Sequence, residues 1–205
     1  MHEILLPSGL ASSKGSTAAP SVAAAPAPLR VGSDPSAPLE VVDVSDYQCP
    51  DCARYEKEEM SAIRARFIDS GRIRWRYLLV ALPNHAEARP AAHAIGCALE
   101  QGPVPVPAAA MHASLFESQE RWAHSPEHLA QFRTLAQRAG LDLAPYDTCM
   151  RSGRYDQAIA QGWKAARRVG VPGTPTVLVF DRYYVNGMTA NQLERVLGTP
   201  PAPVR

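Results

Sequence analysis

The chain lacks any apolar run long enough to cross a bilayer, and it lacks an excess of charge of either sign. Its 21 Lys and Arg residues face 20 Asp and Glu residues, which gives a formal net charge of +1. Arg72, Arg74 and Arg76 recur at period two, and we interpret them as a solvated face of a strand. The composition therefore predicts a globular protein without a nucleic-acid partner.

The N-terminus lacks the features of a secretory signal. Residues 4–6 form the only apolar run there, and Pro7 and Gly9 interrupt it. Glu3 stands where such a signal usually carries positive charge. This stretch by itself leaves the cellular compartment open.

Large apolar side chains are scarce at both ends of the chain. Residues 11–30 consist mainly of Ala, Ser and Pro with almost no large apolar side chains, so they cannot bury enough surface to offset the entropy lost on ordering. We therefore expect a disordered tether over 1–30, a folded domain over 31–198 and a short tail over 199–205. No internal repeat is evident in the folded region.

Hydrophobic periodicity in the folded region predicts the order β-α-β, a block of helices, and then β-β-α. The predicted strands cover 39–44, 73–82, 176–180 and 183–185, and the predicted helices cover 50–70, parts of about 86–169, and the segment after 189. This order indicates an α/β domain with helices inserted between its second and third strands.

Cysteines are few, and two of the four form the motif Cys49-Pro50-Asp51-Cys52 where a strand passes into a helix. Pro50 suits the first helical position, where its missing N–H costs nothing. A thiol at a helix N-terminus is activated because backbone N–H groups and the helix dipole stabilise its thiolate. We therefore expect Cys49 to be the attacking nucleophile and Cys52 to resolve the mixed disulfide.

A zinc site is the alternative interpretation of the cysteine pair, but it normally needs a second pair of ligands at close spacing. Cys97 and Cys149 are single and far apart, so we favour redox chemistry and expect neither metal nor cofactor. The histidines show no ligand spacing, and surface or helix-start positions are expected for His85, His93, His112, His124 and His128.

A second motif, Thr174-Pro175, leads directly into a predicted strand. Proline disturbs strand pairing, so its position there is unusual. A cis bond before Pro175 would resolve the conflict and expose the backbone of Thr174 for antiparallel pairing with a peptide substrate. We therefore predict a cis-proline loop that binds substrate.

Together these motifs resemble a known family. Residues 40–52 (EVVDVSDYQCPDC) are similar to the active-site segment of the DsbA-like branch of the thioredoxin superfamily, and residues 170–176 (GVPGTPT) are similar to its cis-proline loop. The resemblance implies a thioredoxin-like fold with a helical insertion between the second strand and the cis-proline strand. It also implies disulfide exchange with cysteine-containing proteins outside the cytoplasm, in the periplasm or cell envelope, and a redox partner that resets the active site.

The resemblance suggests roles for two acids. Asp43 matches a buried acid that relays protons to or from Cys52, and burial would raise its pKa; a solvent-facing strand residue is the alternative. Asp51 departs from the family, because strongly oxidising members carry histidine there. An acid beside Cys49 should raise the pKa of that thiol, which predicts a mild oxidant or an isomerase-type member.

Two further expectations stay open at this level. By resemblance, Cys97 and Cys149 form a structural disulfide, with two buried free thiols as the alternative. A different function is also possible in principle: a thioredoxin-fold peptide-binding or chaperone-like module that uses the surface around Thr174 and Pro175 without essential redox activity. Replacement of Cys49 by serine distinguishes these two functions.

Overall fold

The computed structural model describes residues 3–5, 29–31, 37–101, 106–180 and 182–198. Most of the expected tether over 1–30 and all of the expected tail over 199–205 lie outside these residues. The tether over 1–30 stays a prediction, although residues 3–5 and 29–31 each form a short strand. There, backbone hydrogen bonds to neighbouring strands hold segments that have little capacity for burial of their own.

Strands and helices follow the predicted order. The strands are β1 (Glu3–Leu5), β2 (Leu29–Val31), β3 (Glu40–Ser45), β4 (Arg74–Leu79), β5 (Thr176–Val179) and β6 (Arg182–Val185). The helices are α1 (Pro50–Ile63, continued by a π-helical turn over Arg64–Ile68), α2 (Ala88–Leu99), α3 (Val106–Glu117), α4 (Gln119–Trp122), α5 (His128–Arg138), α6 (Leu143–Ser152), α7 (Asp156–Arg168) and α8 (Ala190–Gly198).

The strands form one sheet in the order β1-β6-β5-β3-β4-β2. β3 lies near its centre, parallel to β4 and antiparallel to β5. Val44, near the end of β3, pairs with Thr176 at the start of β5. The segment that follows β3 and the segment that precedes β5 therefore meet at one edge of the sheet.

Alternate residues of β3 face opposite layers, as the period of a strand requires. Val42 and Val44 pack with Leu78 and with Ala166 of α7 on one side. Val41 faces the larger core cluster on the other side, which includes residues of α1 and α8. β3 is thus covered on both faces, which explains why five of its six residues are buried.

Helices α2 to α7 lie between β4 and β5, in agreement with the predicted insertion. α2 contacts α3, α5, α6 and α7, so it forms the centre of this helical layer. Among the described residues, no helix has both the length and the apolar character needed to cross a bilayer.

Side-chain hydrogen bonds cap the starts of two helices. The Asp142 side chain accepts a hydrogen bond from the N–H of Ala144 at 3.0 Å and caps α6. Thr189 and Gln192 exchange reciprocal hydrogen bonds at the start of α8. The interpretation of the Arg series as solvated was wrong for Arg76, which is 5% exposed and lies 3.4 Å from a carboxylate oxygen of Glu40.

Candidate active site

The motif cysteines lie at the N-terminus of α1. Cys49 is the N-cap residue, with an extended backbone (φ −72°, ψ 119°), and Pro50 is the first residue of the helix. Both Cys49 and Cys52 are free thiols in this structure. Cys49 is 6% exposed and Cys52 is 1% exposed, so Cys49 is the more accessible sulfur.

The pKa values of the two thiols are shifted in opposite directions. A hydrogen bond from Cys52 is the main reason that the pKa of Cys49 falls from 9.0 to about 6, with further help from Thr174 and from the backbone N–H groups of Cys52 and Asp51. Burial opposes this shift. For Cys52, burial is the leading cause that raises the pKa, followed by its hydrogen bond to Cys49. A nucleophilic thiolate at Cys49 and a protonated thiol at Cys52 follow from this asymmetry.

The cis-proline loop lies directly beside the nucleophile. The Thr174–Pro175 peptide bond is cis. The Cys49 thiol lies 3.4 Å from the carbonyl oxygen of Thr174 and donates a hydrogen bond to it. The antiparallel pairing of β3 with β5 produces this proximity, because it brings the ends that carry the two motifs together.

Asp43 is buried in the sheet beneath the cysteine pair. The residue is 1% exposed, which excludes the solvent-facing alternative. Its Oδ1 atom has no hydrogen-bond partner among the described residues. Burial is the main cause that raises the pKa of Asp43 well above its usual value, and the charges of Glu56 and Cys49 add to the shift. Asp43 in turn contributes to the raised pKa of Cys52.

Asp51 differs from the expectation. Its carboxylate forms an ion pair with Arg54 at 2.9 Å on the exposed face of α1. Its backbone N–H helps to lower the pKa of Cys49, which is shifted downward overall. The expected rise in the pKa of Cys49 caused by Asp51 is therefore not found. Arg54 balances the charge of Asp51, and Cys52 stabilises the Cys49 thiolate.

A buried polar cluster next to Asp43 was not anticipated. Glu56 of α1 accepts a hydrogen bond from the Tyr77 hydroxyl at 2.8 Å and lies 3.7 Å from Nε2 of His112. Burial works against ionisation of Glu56, but His112 and Tyr77 hold its pKa below the usual value. His112 is 2% exposed, so its expected surface position was wrong. No local sequence pattern indicates this cluster, because its members come from α1, β4 and α3.

Gln119 is a second residue that the sequence did not single out. It belongs to the short helix α4 of the insertion and is 7% exposed. Its side-chain amide donates hydrogen bonds to the backbone carbonyls of Tyr47 and Cys49, at 2.6 and 2.9 Å. The insertion therefore contacts the segment that carries the nucleophile.

An open groove of about 360 Å³ lies beside the cysteine motif. The N-terminal part of α1 forms one wall, and the cis-proline loop and the loop before α8 form the other. Its lining includes Asp51, Tyr55, Glu59, Pro175, Met188 and Gln192. A polypeptide placed there would pass close to Cys49.

The remaining cysteines are joined to each other. Cys97 of α2 and Cys149 of α6 form a disulfide with a Cα–Cα distance of 5.6 Å. His93 lies near both sulfurs. It is 2% exposed, so its expected surface position was also wrong. Because the sulfurs are bonded to each other, this group offers no thiolate to a metal.

Comparison with known proteins places this geometry in a family. The family model described as thioredoxin matches residues 25–199. This chain belongs to the thioredoxin family. The match covers the cysteine motif, the helical insertion and the cis-proline loop in a single thioredoxin-like domain.

Two relatives are similar in sequence to this thioredoxin-family chain. The Na(+)/H(+) antiporter NhaA 3 of Salinispora tropica is 33% identical over 153 residues, a match that covers 74% of this chain and 20% of that protein. The chain thus spans about a fifth of the length of that relative. The thiol:disulfide interchange protein DsbL of Lelliottia amnigena is 22% identical over 169 residues and is covered to 72%.

Solved structures share the fold over most of their length. BdbD from Bacillus subtilis has a TM-score of 0.72 at 22% identity, with 87% of this chain and 94% of that chain covered. Chlamydia trachomatis DsbA has a TM-score of 0.74 at 20% identity, with 90% and 95% covered. Reduced DsbA from Mycobacterium tuberculosis has a TM-score of 0.64 at 25% identity, with 82% and 90% covered. The predicted thioredoxin-like fold is confirmed, and the fold of these DsbA structures is similar to it.

Proposed function

We propose that this chain is a thiol–disulfide oxidoreductase that exchanges disulfides with cysteine-containing proteins through a mixed disulfide at Cys49, resolved by Cys52. The observation that carries the proposal is the split in acidity between the two thiols. Cys49 has a pKa of about 6 at a helix N-terminus, beside a cis-proline loop, whereas burial keeps Cys52 protonated.

The reaction runs through two exchange steps. In the oxidising direction, a substrate thiolate attacks Sγ of Cys49, and the Cys49–Cys52 bond breaks with its electron pair on Sγ of Cys52. A second substrate thiolate then attacks the substrate sulfur of the mixed disulfide and releases Cys49 as a thiolate. The substrate loses two electrons to the cysteine pair, so a redox partner carrying its own disulfide must remove them before the next cycle. In the reducing direction, Cys49 attacks the substrate disulfide and Cys52 resolves it.

Asp43 is suited to handle the proton of Cys52 in this cycle. When Cys52 leaves as a thiolate, its buried position favours rapid protonation, and a neutral Asp43 carboxyl beneath it is a source of that proton. When Cys52 attacks, the reverse transfer frees its thiolate. Asp43 is thus proposed as the relay, with Cys49 and Cys52 as the reacting groups.

The acidity of Cys49 favours a mild oxidant. A pKa of about 6 for Cys49 lies between roughly 7 for the thioredoxin nucleophile and roughly 3.5 for that of DsbA. A lower thiolate pKa stabilises the reduced form and makes the disulfide more oxidising. We therefore place the reduction potential between about −270 mV and about −120 mV, the values of those two proteins.

The proposal extends to the cellular location of the protein and to the surface that would bind its substrate. A disulfide between Cys97 and Cys149 suits an oxidising compartment, which supports an extracytoplasmic location in the periplasm or cell envelope. The backbone of Thr174, beside the Cys49 thiol, and the groove lined by Pro175 would hold the substrate polypeptide next to Cys49. Fractionation of cells that express the natural gene tests the location.

Replacement of each motif cysteine by serine tests the function. Cys52→Ser should trap mixed disulfides with substrate proteins, because the resolving thiol is missing, and Cys49→Ser should trap none. The purified wild-type protein should oxidise a reduced model substrate in glutathione buffers, and those buffers also give the reduction potential. Unchanged biological activity and peptide binding in Cys49→Ser would reject the redox function in favour of a peptide-binding module.

A further inference from the structure

The segment that precedes the nucleophile is held by the helical insertion rather than by the thioredoxin core alone. Tyr47 packs its ring on Phe116 of α3, with a centroid distance of 4.7 Å. Its hydroxyl lies in a 2.7 Å hydrogen bond with Nδ1 of His112. Tyr47 is fully buried, so both contacts are shielded from water. The corner between α3 and α4 thereby fixes the side chain two positions before Cys49.

Gln119 fixes the backbone of the same segment. Its amide N–H groups reach the carbonyls of Tyr47 and Cys49 at 2.6 and 2.9 Å. The Cys49 carbonyl also accepts the N–H groups of Cys52 and Ala53, at 3.1 and 3.2 Å, which begin α1. Three donors therefore converge on the carbonyl of the nucleophile itself. Both amide hydrogens are used, so the side chain has one defined orientation.

From this geometry we infer that Gln119 is a positioning residue for Cys49, through which the helical insertion sets the orientation of the nucleophilic sulfur. The inference rests on the proposed function and deepens it. Gln119 touches neither the sulfur nor the substrate.

Gln119 affects the Cys49 thiolate through the peptide group that follows Cys49, whose carbonyl accepts its hydrogen bond. The thiolate depends on the backbone N–H groups of Asp51 and Cys52, whose direction is fixed relative to that plane. Without Gln119 the carbonyls of Tyr47 and Cys49 lose a buried donor, and the segment is free to rotate away from the geometry that favours the thiolate. The partial positive charge of the amide hydrogens at the Cys49 carbonyl is also lost. Both effects disfavour the anion.

The test replaces Gln119 by a side chain of similar volume that cannot donate. In Gln119→Met, the ultraviolet titration of the Cys49 thiolate should move upward by about half a pH unit, and exchange with a small disulfide at pH 6 should slow by up to about twofold, because the thiolate fraction at that pH falls by about half. The matched control is Gln101→Met. Gln101 also bonds through its side chain to backbone, at the N–H and carbonyl of Asp142, but on the exposed side of the insertion. Gln101→Met should titrate like the wild type.

The outcomes separate this inference from the function on which it rests. A folded Gln119→Met protein that titrates and exchanges like the wild type would overturn the positioning role, while the wild-type exchange activity upholds the oxidoreductase. A wild type without exchange activity would instead reject the function. A purely structural role would lower thermal stability without a shift in the titration, and that result also counts against the inference.

If Gln119→Met does not fold, a measurement on the wild-type protein tests the positioning role of Gln119 instead. The side-chain amide protons of Gln119 should exchange with solvent far more slowly than those of Gln101, and their NMR shifts should follow the ionisation of Cys49. Exchange as fast as that of Gln101, or shifts that do not respond to the titration, would overturn the inference.

Discussion

The thiol of Cys49 lies 3.4 Å from the carbonyl oxygen of Thr174, a residue 125 positions further along the chain. This contact joins the cysteine motif to the cis-proline loop. It places the sulfur that is proposed to react beside the backbone that is proposed to pair with an extended substrate. The reactivity of the site therefore depends on Cys49, on its neighbour Cys52 and on the buried acid Asp43.

Cys52→Ala should raise the pKa of Cys49 from about 6 toward its ordinary value of 9.0, because the hydrogen bond from Cys52 is the leading cause of the downward shift. The ultraviolet absorbance of the thiolate against pH measures the effect. Cys52→Ser retains a hydroxyl donor and should shift the titration less. Identical titrations for the alanine variant and the wild type would show that the helix N-terminus alone activates Cys49.

The stability of the reduced protein should depend on pH through Cys49. The folded-state pKa of Cys49, about 6, lies below its unfolded value of 9.0. The stability that ionisation of Cys49 adds to the folded protein is therefore fully present above pH 9 and is lost as pH falls through 6. The difference in unfolding free energy between wild type and Cys49→Ala should rise from pH 6 toward pH 9. Urea unfolding in the presence of reductant measures it, and a flat difference would contradict the lowered pKa.

Asp43→Asn should stabilise the oxidised protein at neutral pH and slow its exchange reaction. The raised pKa of Asp43 means that the wild type loses stability as pH rises from 3.8 to the folded-state pKa, since the unfolded chain releases this proton first. The unfolding free energy of the asparagine variant should lack this decrease with rising pH. Use of the oxidised protein excludes any contribution from Cys49. Exchange that is as fast as in the wild type would remove Asp43 from the proton relay.

Removal of the second disulfide should cost stability but not exchange chemistry. Cys97 and Cys149 close a loop with a sequence separation of 52. On the chain-entropy model such a loop is worth about 4 kcal/mol. The double replacement by alanine should lower the unfolding free energy by roughly this amount, whereas the Cys49 titration stays unchanged. A large loss of exchange activity in a folded double variant would instead indicate a redox role for this pair.

Asp51→His should lower the pKa of Cys49 and make the active-site disulfide more oxidising. A cationic imidazole beside the sulfur favours the thiolate, and the Asp51–Arg54 pair would be broken at the same time. A fall of one pKa unit corresponds to a rise of about 30 mV in reduction potential. Glu58→His, further along α1, is the control. A potential that does not change would show that this position does not set the strength of the oxidant.

The sequence by itself determined the features that depend on neighbouring residues. The strand-to-helix junction, Pro50 at the first helical position and the caps at Asp142 and Thr189 are all short-range features, because each needs only a few consecutive side chains. The two motifs also carried the fold class, since the cysteine pair and the proline before a strand are rare together.

Only the tertiary structure decided the surroundings of the reactive sulfur. Gln119 reaches Cys49 across 70 positions, and His112 reaches Tyr47 across 65, so no local pattern reveals either contact. The sequence suggested that the charge of Asp51 acts on Cys49, but on helix α1 the carboxylate of Asp51 forms an ion pair with Arg54. Burial, which depends on how distant elements pack, then set the acidity of Cys52 and Asp43. Residue order determined which groups carry the chemistry, and long-range packing determined their protonation and orientation.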